Sequence, residues 1–183
     1  MPFYLEESDI LARAQGLRSV LIVPCRFCPA ASLAVKEGKP YLEPFRRFLR
    51  TESYESFIKT LKSRLEAEGI RTAVFDAKLP HHFVACMWTS RRRRQLAARA
   101  TQFDGVVALG CDATAETVRM AIGDTDCRVI KGMVIKGGIM NVRPIVSPLL
   151  NISLQLKGIT PVTSNVAAQS EGEPQSAVAH ASQ

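Results

Sequence analysis

The sequence lacks the long apolar run that a membrane-spanning helix needs. Although 46% of its residues are hydrophobic, nowhere do about 20 apolar residues follow one another. Its first residues include Glu6, Glu7 and Asp9, where a secretory signal peptide has a basic segment and then an apolar one. We therefore expect a cytoplasmic protein with no membrane partner.

Motifs that bind nucleotides and nucleic acids are also missing. There is no G-x-G-x-x-G after the first apolar run and no G-x-x-x-x-G-K-[ST], so neither a dinucleotide fingerprint nor a phosphate loop is predicted. The net charge of +7 favours an anionic partner. However, aromatic residues are not interleaved with the basic ones and no zinc-finger or RNA-recognition signature occurs, so nucleic acid is not the expected partner.

Apolar and amphipathic segments alternate along most of the chain. They predict strands at 18–23, 70–75, 105–109 and 127–130, and helices at 53–68, 90–101 and 112–122. This alternation is typical of an α/β fold, and we predict a Rossmann/flavodoxin-like parallel sheet flanked by helices. From Met133 onward, short segments separated by a turn at Gly137 and Gly138 predict a short antiparallel β extension of the sheet near the C-terminus.

The length of 183 residues suits one domain with a substantial core. We predict a single α/β domain at 1–163. Residues 164–183 consist largely of Ala, Ser, Gln, Glu and Pro with no aromatic residue, and this composition predicts a disordered tail.

Five cysteines in a cytoplasmic chain are more typical of metal ligands or catalytic groups than of disulfides. Cys25 and Cys28 follow the first strand at C-x-x-C spacing, Cys86 lies in the loop after the second strand, and Cys111 ends the third. Right-handed crossovers place these strand ends on one side of a parallel sheet, where such sheets bind ligands. We predict that the four thiols converge on a zinc ion or an iron–sulfur cluster. Cys127 begins the fourth strand at the opposite end and is interpreted as a core residue.

Other interpretations of these cysteines stay open. Buried thiols without any chemistry are common, and the C-x-x-C pair alone also suits a thioredoxin-like redox site. Cys111 stands at a strand-to-helix turn, where the helix dipole lowers the pKa of a thiol, so it is the alternative catalytic nucleophile. His81 or His82 would then be the base. Either histidine also has two other interpretations, as a metal ligand in place of one cysteine or as part of an exposed loop.

Four consecutive arginines, 91–94, begin the helix predicted at 90–101. Positive charge at this end opposes the helix macrodipole, so a nearby anion would stabilise it. We predict that Arg91 and Arg92 bind an anionic cofactor, such as a folate with its glutamate tail, or an acidic partner. The alternative is that these side chains simply extend into water.

The order of the elements and the segment FDGVVALGCDATAETVRMA at 103–121 resemble the cysteine-rich family known as the methylenetetrahydrofolate reductase C-terminal domain. The likeness covers residues 18–130, and Cys25, Cys28, Cys86 and Cys111 are the matching positions. It implies a zinc or iron–sulfur subunit that docks to a catalytic partner, a methylenetetrahydrofolate reductase of one-carbon metabolism. Members commonly carry a further cysteine-rich C-terminal section, which this chain lacks, so the resemblance implies an accessory subunit with one metal centre.

Overall fold

A computed structural model describes residues 2–43, 50–76, 82–148 and 150–162 of the chain. In chain order the elements are β1 (Phe3–Glu7), α1 (Ile10–Ala14), β2 (Ser19–Pro24), α2 (Cys28–Glu37), α3 (Glu52–Ala67), β3 (Arg71–Val74), a 3-10 turn (Ala85–Met87), α4 (Ser90–Ala100), β4 (Gly105–Leu109), α5 (Asp112–Ala121), β5 (Arg128–Lys131), β6 (Met133–Val146) and β7 (Ile152–Thr160). Within these ranges, none of the helices has the length and apolar character required to cross a membrane.

Four strands form one parallel sheet in the order β3-β2-β4-β5. Every residue of β2 and β4 is buried, as expected for central strands of a parallel sheet that is covered on both faces. The predicted strands and helices of this region occur with ends displaced by no more than one residue. The prediction of an α/β fold built on a parallel sheet is confirmed.

Two separate cores lie on the two faces of this sheet. Val20 and Ile22 of β2 belong to the core that also contains the buried residues of α1, α2 and α3. The intervening residues Leu21 and Val23 point to the other face and belong to the core formed with α4 and α5. Because neighbouring strand residues alternate in this way, both faces of β2 are apolar and the strand appears in the sequence as an unbroken apolar run.

The other three strands form a separate antiparallel sheet in the order β1-β6-β7. The predicted antiparallel strands near the C-terminus therefore occur, but they do not extend the parallel sheet, and β6 is one strand that continues from Met133 to Val146. Gly137 and Gly138 do not form a turn between two strands. They lie inside β6, at the place where its register with β1 shifts, and both have positive φ. The predicted turn is absent because β6 pairs with β1 from the N-terminus. This long-range pairing leaves no local signal in the sequence around the two glycines.

Three N-terminal elements, β1, α1 and α2, were not predicted. The N-cap of α4 is Thr89, one residue before the helix predicted at 90–101, and its hydroxyl accepts a hydrogen bond from the Arg92 backbone N–H. The predicted tail at 164–183 lies outside the described residues.

Replacing Gly138 by Ala should destabilise the antiparallel sheet. This residue has a φ of 137°, and a Cβ added to it would overlap the backbone carbonyl of Thr160 on β7. We expect Gly138→Ala to lower the free energy of unfolding by about 2 kcal/mol or more, the order expected when a strained backbone also meets a clash. Urea denaturation would measure this loss.

Gly158→Ala is the matched control for this substitution. Gly158 lies on β7, the strand that pairs with β6, and a Cβ there would meet no atom within 4 Å. An equal loss of stability in the two variants would contradict the proposed strain at Gly138.

Candidate thiol and metal site

The carboxyl ends of β2 and β4 lie side by side and carry the residues of greatest chemical interest. Pro24 of β2 is in register with Leu109 of β4, and the backbone N–H of Cys25 donates to the Leu109 carbonyl at 2.8 Å. The connection after β2 covers one face of the sheet, whereas the connection after β4 covers the other. A crevice at such a reversal of strand order is the usual ligand site of an open α/β sheet.

Three of the predicted ligands meet in this crevice. Cys28 is the first residue of α2 and Cys111 is the N-cap of α5, and their thiols are hydrogen-bonded to each other. The hydroxyl of Thr114 lies 4.0 Å from the Cys111 sulfur and also hydrogen-bonds to the thiol of Cys25. All three cysteines are buried. We call this group, Cys25, Cys28 and Cys111, the thiol cluster.

The thiol cluster favours one thiolate, at Cys111. The hydrogen bond from Cys28 lowers the pKa of Cys111 to about 5, and the backbone N–H groups of Thr114 and Ala113 at the start of α5 add to this effect. The same bond, together with burial, raises the pKa of Cys28. Burial also raises the pKa of Cys25. At neutral pH the cluster therefore holds one negative charge beside two neutral thiols.

Cys86 lies beside the thiol cluster without belonging to it. Its side chain is exposed on the 3-10 turn. The backbone nevertheless holds this turn next to the Cys25 loop, because the Ala85 N–H bonds to the Cys25 sulfur and the Arg26 N–H donates to the Phe83 carbonyl at 2.7 Å. Within the described ranges, no group of three or more His, Cys, Asp or Glu side chains is arranged to hold a metal ion.

A buried arginine inside the C-x-x-C segment fixes this loop. The side chain of Arg26 is only 3% exposed, and it bonds Glu55 through Nε at 2.7 Å and Asp76 through Nη2 at 3.0 Å. Arg50 lies 3.3 Å from the second oxygen of Asp76. This network was not predicted, because its one signal in the sequence is an arginine between two cysteines at a strand end.

Two tyrosines that the sequence analysis also missed pack beside the thiols. The hydroxyl of Tyr54 is fully buried and donates to the Leu109 carbonyl at 3.1 Å. Burial raises the pKa of Tyr41 to about 12, and the neighbouring thiols of Cys28 and Cys25 contribute to this shift. Both phenols therefore stay neutral and help to separate the cluster from water.

The histidines do not join the thiol cluster in the described structure. His81 lies outside the described residues. His82 lines a groove beside β3, and β2 stands between β3 and the strand that ends before Cys111. Cys127 is at the opposite end of the sheet, where its sulfur lies 3.3 Å from the Phe103 carbonyl.

The two arginines predicted to bind an anion have different environments. Arg91 is exposed, which agrees with the alternative that its side chain extends into water. Arg92 is buried and lines the groove beside β3 together with His82.

Comparison of the chain with protein-family models, with curated proteins and with solved structures gave no match. The thiol cluster and its surroundings are thus the basis for any functional proposal.

Metal-free protein should contain a thiolate at neutral pH. We expect the ultraviolet absorption of this thiolate to disappear as the pH falls through about 5, the lowered pKa of Cys111. Between about 5 and the ordinary thiol value of 9.0 the unfolded chain binds more protons at this residue, so stability should rise with pH in that window. Cys111→Ser should remove the acidic titration and Cys127→Ser should keep it. A thiolate that forms only near the ordinary value would contradict this assignment.

Proposed function

We propose that this protein binds one zinc ion or iron–sulfur cluster through Cys25, Cys28, Cys86 and Cys111, and that it serves as a non-catalytic subunit of an oxidoreductase. The observation that carries the proposal is the thiol cluster itself, which brings three cysteines from two strand ends into one buried crevice. Unrelated buried thiols do not require this convergence, whereas a centre with sulfur ligands does.

A Rossmann/flavodoxin-like assignment of the fold is part of this proposal. Within the parallel sheet alone, the chain order of the strands is 2-1-3-4 across the sheet. This agrees with the first four strands of the flavodoxin-like order, whose ligand site lies between strands 1 and 3. The corresponding strands here are β2 and β4, from which the thiol cluster extends.

The donor chemistry fits a soft metal, although in the described residues neither the three cluster thiols nor Cys86 are arranged to hold an ion. Thiolates are the ligands that zinc and iron–sulfur clusters prefer, and the N–H groups at the start of α5 already favour negative charge on Cys111. A bound metal would stabilise the thiolate forms of Cys25 and Cys28 as well. Cys86 would need to turn inward from its exposed position on the 3-10 turn. Four protein thiolates leave no open position for substrate, which favours a structural or electron-transferring role.

Exposed apolar side chains next to the cysteines support a docking role. Phe27, adjacent to Cys28, is 39% exposed, and Met87, adjacent to Cys86, is 75% exposed. Apolar side chains exposed beside a functional centre are typical of an interface with another protein. The resemblance noted above suggests that the partner is a methylenetetrahydrofolate reductase of one-carbon metabolism.

Metal content tests the proposal directly. We expect about one zinc per chain, or iron with acid-labile sulfide, in protein purified without oxygen. Cys25→Ser, Cys28→Ser and Cys111→Ser should each lower both the metal content and the thermal stability, because each removes a ligand from a centre that binds only the folded state. Elemental analysis with thermal denaturation would measure both effects.

Cys127→Ser is the matched control, since Cys127 lies at the far end of the sheet. Cys86→Ser tests whether the exposed thiol turns inward to bind the metal. A loss of metal content in this variant would support a centre with four cysteine ligands. The proposal is contradicted if the wild-type protein holds no metal, or if the three cluster substitutions leave its metal content unchanged.

A second candidate function has one specific observation in its favour, the lowered pKa of Cys111 at the start of α5. A thiolate in this position can act as a nucleophile in a cysteine-dependent enzyme. His82 lies in the groove beside β3, so the hydrogen bond from Cys28 takes the activating role that a histidine base would have. In this case, in a Cys86→Ser background that removes the exposed thiol, Cys111→Ser would abolish reaction with an electrophile such as iodoacetamide, and Cys25→Ser would keep it.

A further inference from the structure

A second site is suggested by a groove at the edge of the parallel sheet, beside β3. Its volume is about 760 Å³, which lies within the range of about 300–1,000 Å³ that is usual for small-molecule sites. The groove is lined by residues at the end of β3, before the 3-10 turn and on α4, which are Val74, Phe75, Asp76, His82, Arg92, Gln95 and Arg99. The thiol cluster does not contribute to it.

Arg92 is the residue that gives this groove its chemistry. Only 7% of it is exposed, and its guanidinium lies 3.9 Å from the centre of the Phe75 ring and 5.4 Å from that of Trp88. Nη1 donates to the side-chain oxygen of Gln95 at 3.2 Å, and Nη2 donates to the backbone carbonyl of Asp76 at 2.5 Å. Nε is buried and has no hydrogen-bond partner in the described part of the chain.

The charge of Arg92 is compensated only in part, by the faces of the two aromatic rings and by the longer-range attraction of the Asp76 carboxylate. Both of its hydrogen-bond partners are uncharged groups. The carboxylate of Asp76 is instead directed to Arg26, at 3.0 Å, and to Arg50, at 3.3 Å. Buried charges in proteins are normally paired, because desolvation of an isolated ion is expensive. Burial accordingly lowers the pKa of Arg92.

The rim of the groove allows an anion to reach this guanidinium. Asp76 also lines the groove, but its carboxylate is paired with Arg26 and Arg50, and Arg99 adds a further positive charge to the lining. Gln95 is exposed, so its amide can be displaced from Nη1 by a stronger acceptor. A carboxylate or phosphate oxygen is such an acceptor, since hydrogen bonds between ionised groups are stronger than neutral ones.

We propose that this groove binds a small molecule that carries a carboxylate or phosphate group, with the oxyanion on Arg92 and an apolar body against Val74 and Phe75. The site is independent of the thiol cluster, so loss of the metal proposal would leave it standing. Arg91, one residue earlier, is exposed and does not line the groove.

The single tryptophan of the chain provides the probe for a binding test. The indole N–H of Trp88 donates to the His82 carbonyl at 2.7 Å, at the edge of the groove. Its resonance in a proton–nitrogen NMR spectrum is identified without further assignment. Titration of the full-length protein with benzoate, phenyl phosphate and the neutral analogue benzamide should shift this resonance saturably for at least one anion and not for benzamide. The anion that binds more tightly shows whether the groove prefers a carboxylate or a phosphate group.

Gln95→Glu tests the charge argument while it keeps the size of the side chain. A carboxylate 3.2 Å from Nη1 would neutralise Arg92 from within and should weaken anion binding by roughly tenfold or more. Arg91→Gln, on the exposed side, should leave the affinity within about twofold of wild type. Arg92→Gln should abolish binding if the variant folds.

The proposal is overturned if neither anion shifts the Trp88 resonance, if benzamide binds as well as benzoate, or if Gln95→Glu binds anions with unchanged affinity. Arg99→Gln gives an additional measurement that does not depend on a buried residue, since Arg99 is exposed. It should weaken binding of the anions and leave the thermal stability unchanged.

Discussion

The pairing of β2 with β4 is the constraint on which the rest of the structure depends. Because the two strands are adjacent and parallel, with Pro24 in register with Leu109, the loops that follow them begin side by side. The bond from the Cys25 N–H to the Leu109 carbonyl extends this register by one residue beyond the strands. The segments that follow the two strands then pass to opposite faces of the sheet, and the thiol cluster lies between them.

Much of this arrangement could be predicted from local sequence. Parallel strands covered on both faces are unbroken apolar runs, so their positions were correct within one residue. The convergence of Cys25, Cys28 and Cys111 then followed from the connection rules of parallel sheets. Long-range pairing gives no such signal, which is why the partnership of β1 with β6 and the separate sheet were missed. The exposure of Cys86 depends on a loop conformation that no periodicity encodes.

The hydrogen-bond networks around the cysteines illustrate the same limit. Arg26, Glu55 and Asp76 are far apart in sequence, and their contact depends on the order of β2 and β3 together with the entry of α3. Tyr54 lies in the helix predicted at 53–68, and nothing in the pattern of that segment indicates a polar role for it. Its hydroxyl instead satisfies the carbonyl of Leu109, at the strand end from which Cys111 emerges. Such polar contacts depend on the tertiary structure, so they cannot be derived from the pattern of either segment.

Two buried arginines at the same end of the sheet, Arg26 and Arg92, differ in how their charges are compensated. Arg26 has two carboxylates within 3.0 Å and is neutralised where it lies. Arg92 bonds Asp76 too, but through the backbone carbonyl, while the carboxylate of that residue is directed to Arg26 and Arg50. The Asp76 carboxylate therefore attracts Arg92 only at longer range, without a hydrogen bond to it. The rings of Phe75 and Trp88 compensate the charge of Arg92 only in part, so an apolar side chain at this position of α4 would pack at lower desolvation cost.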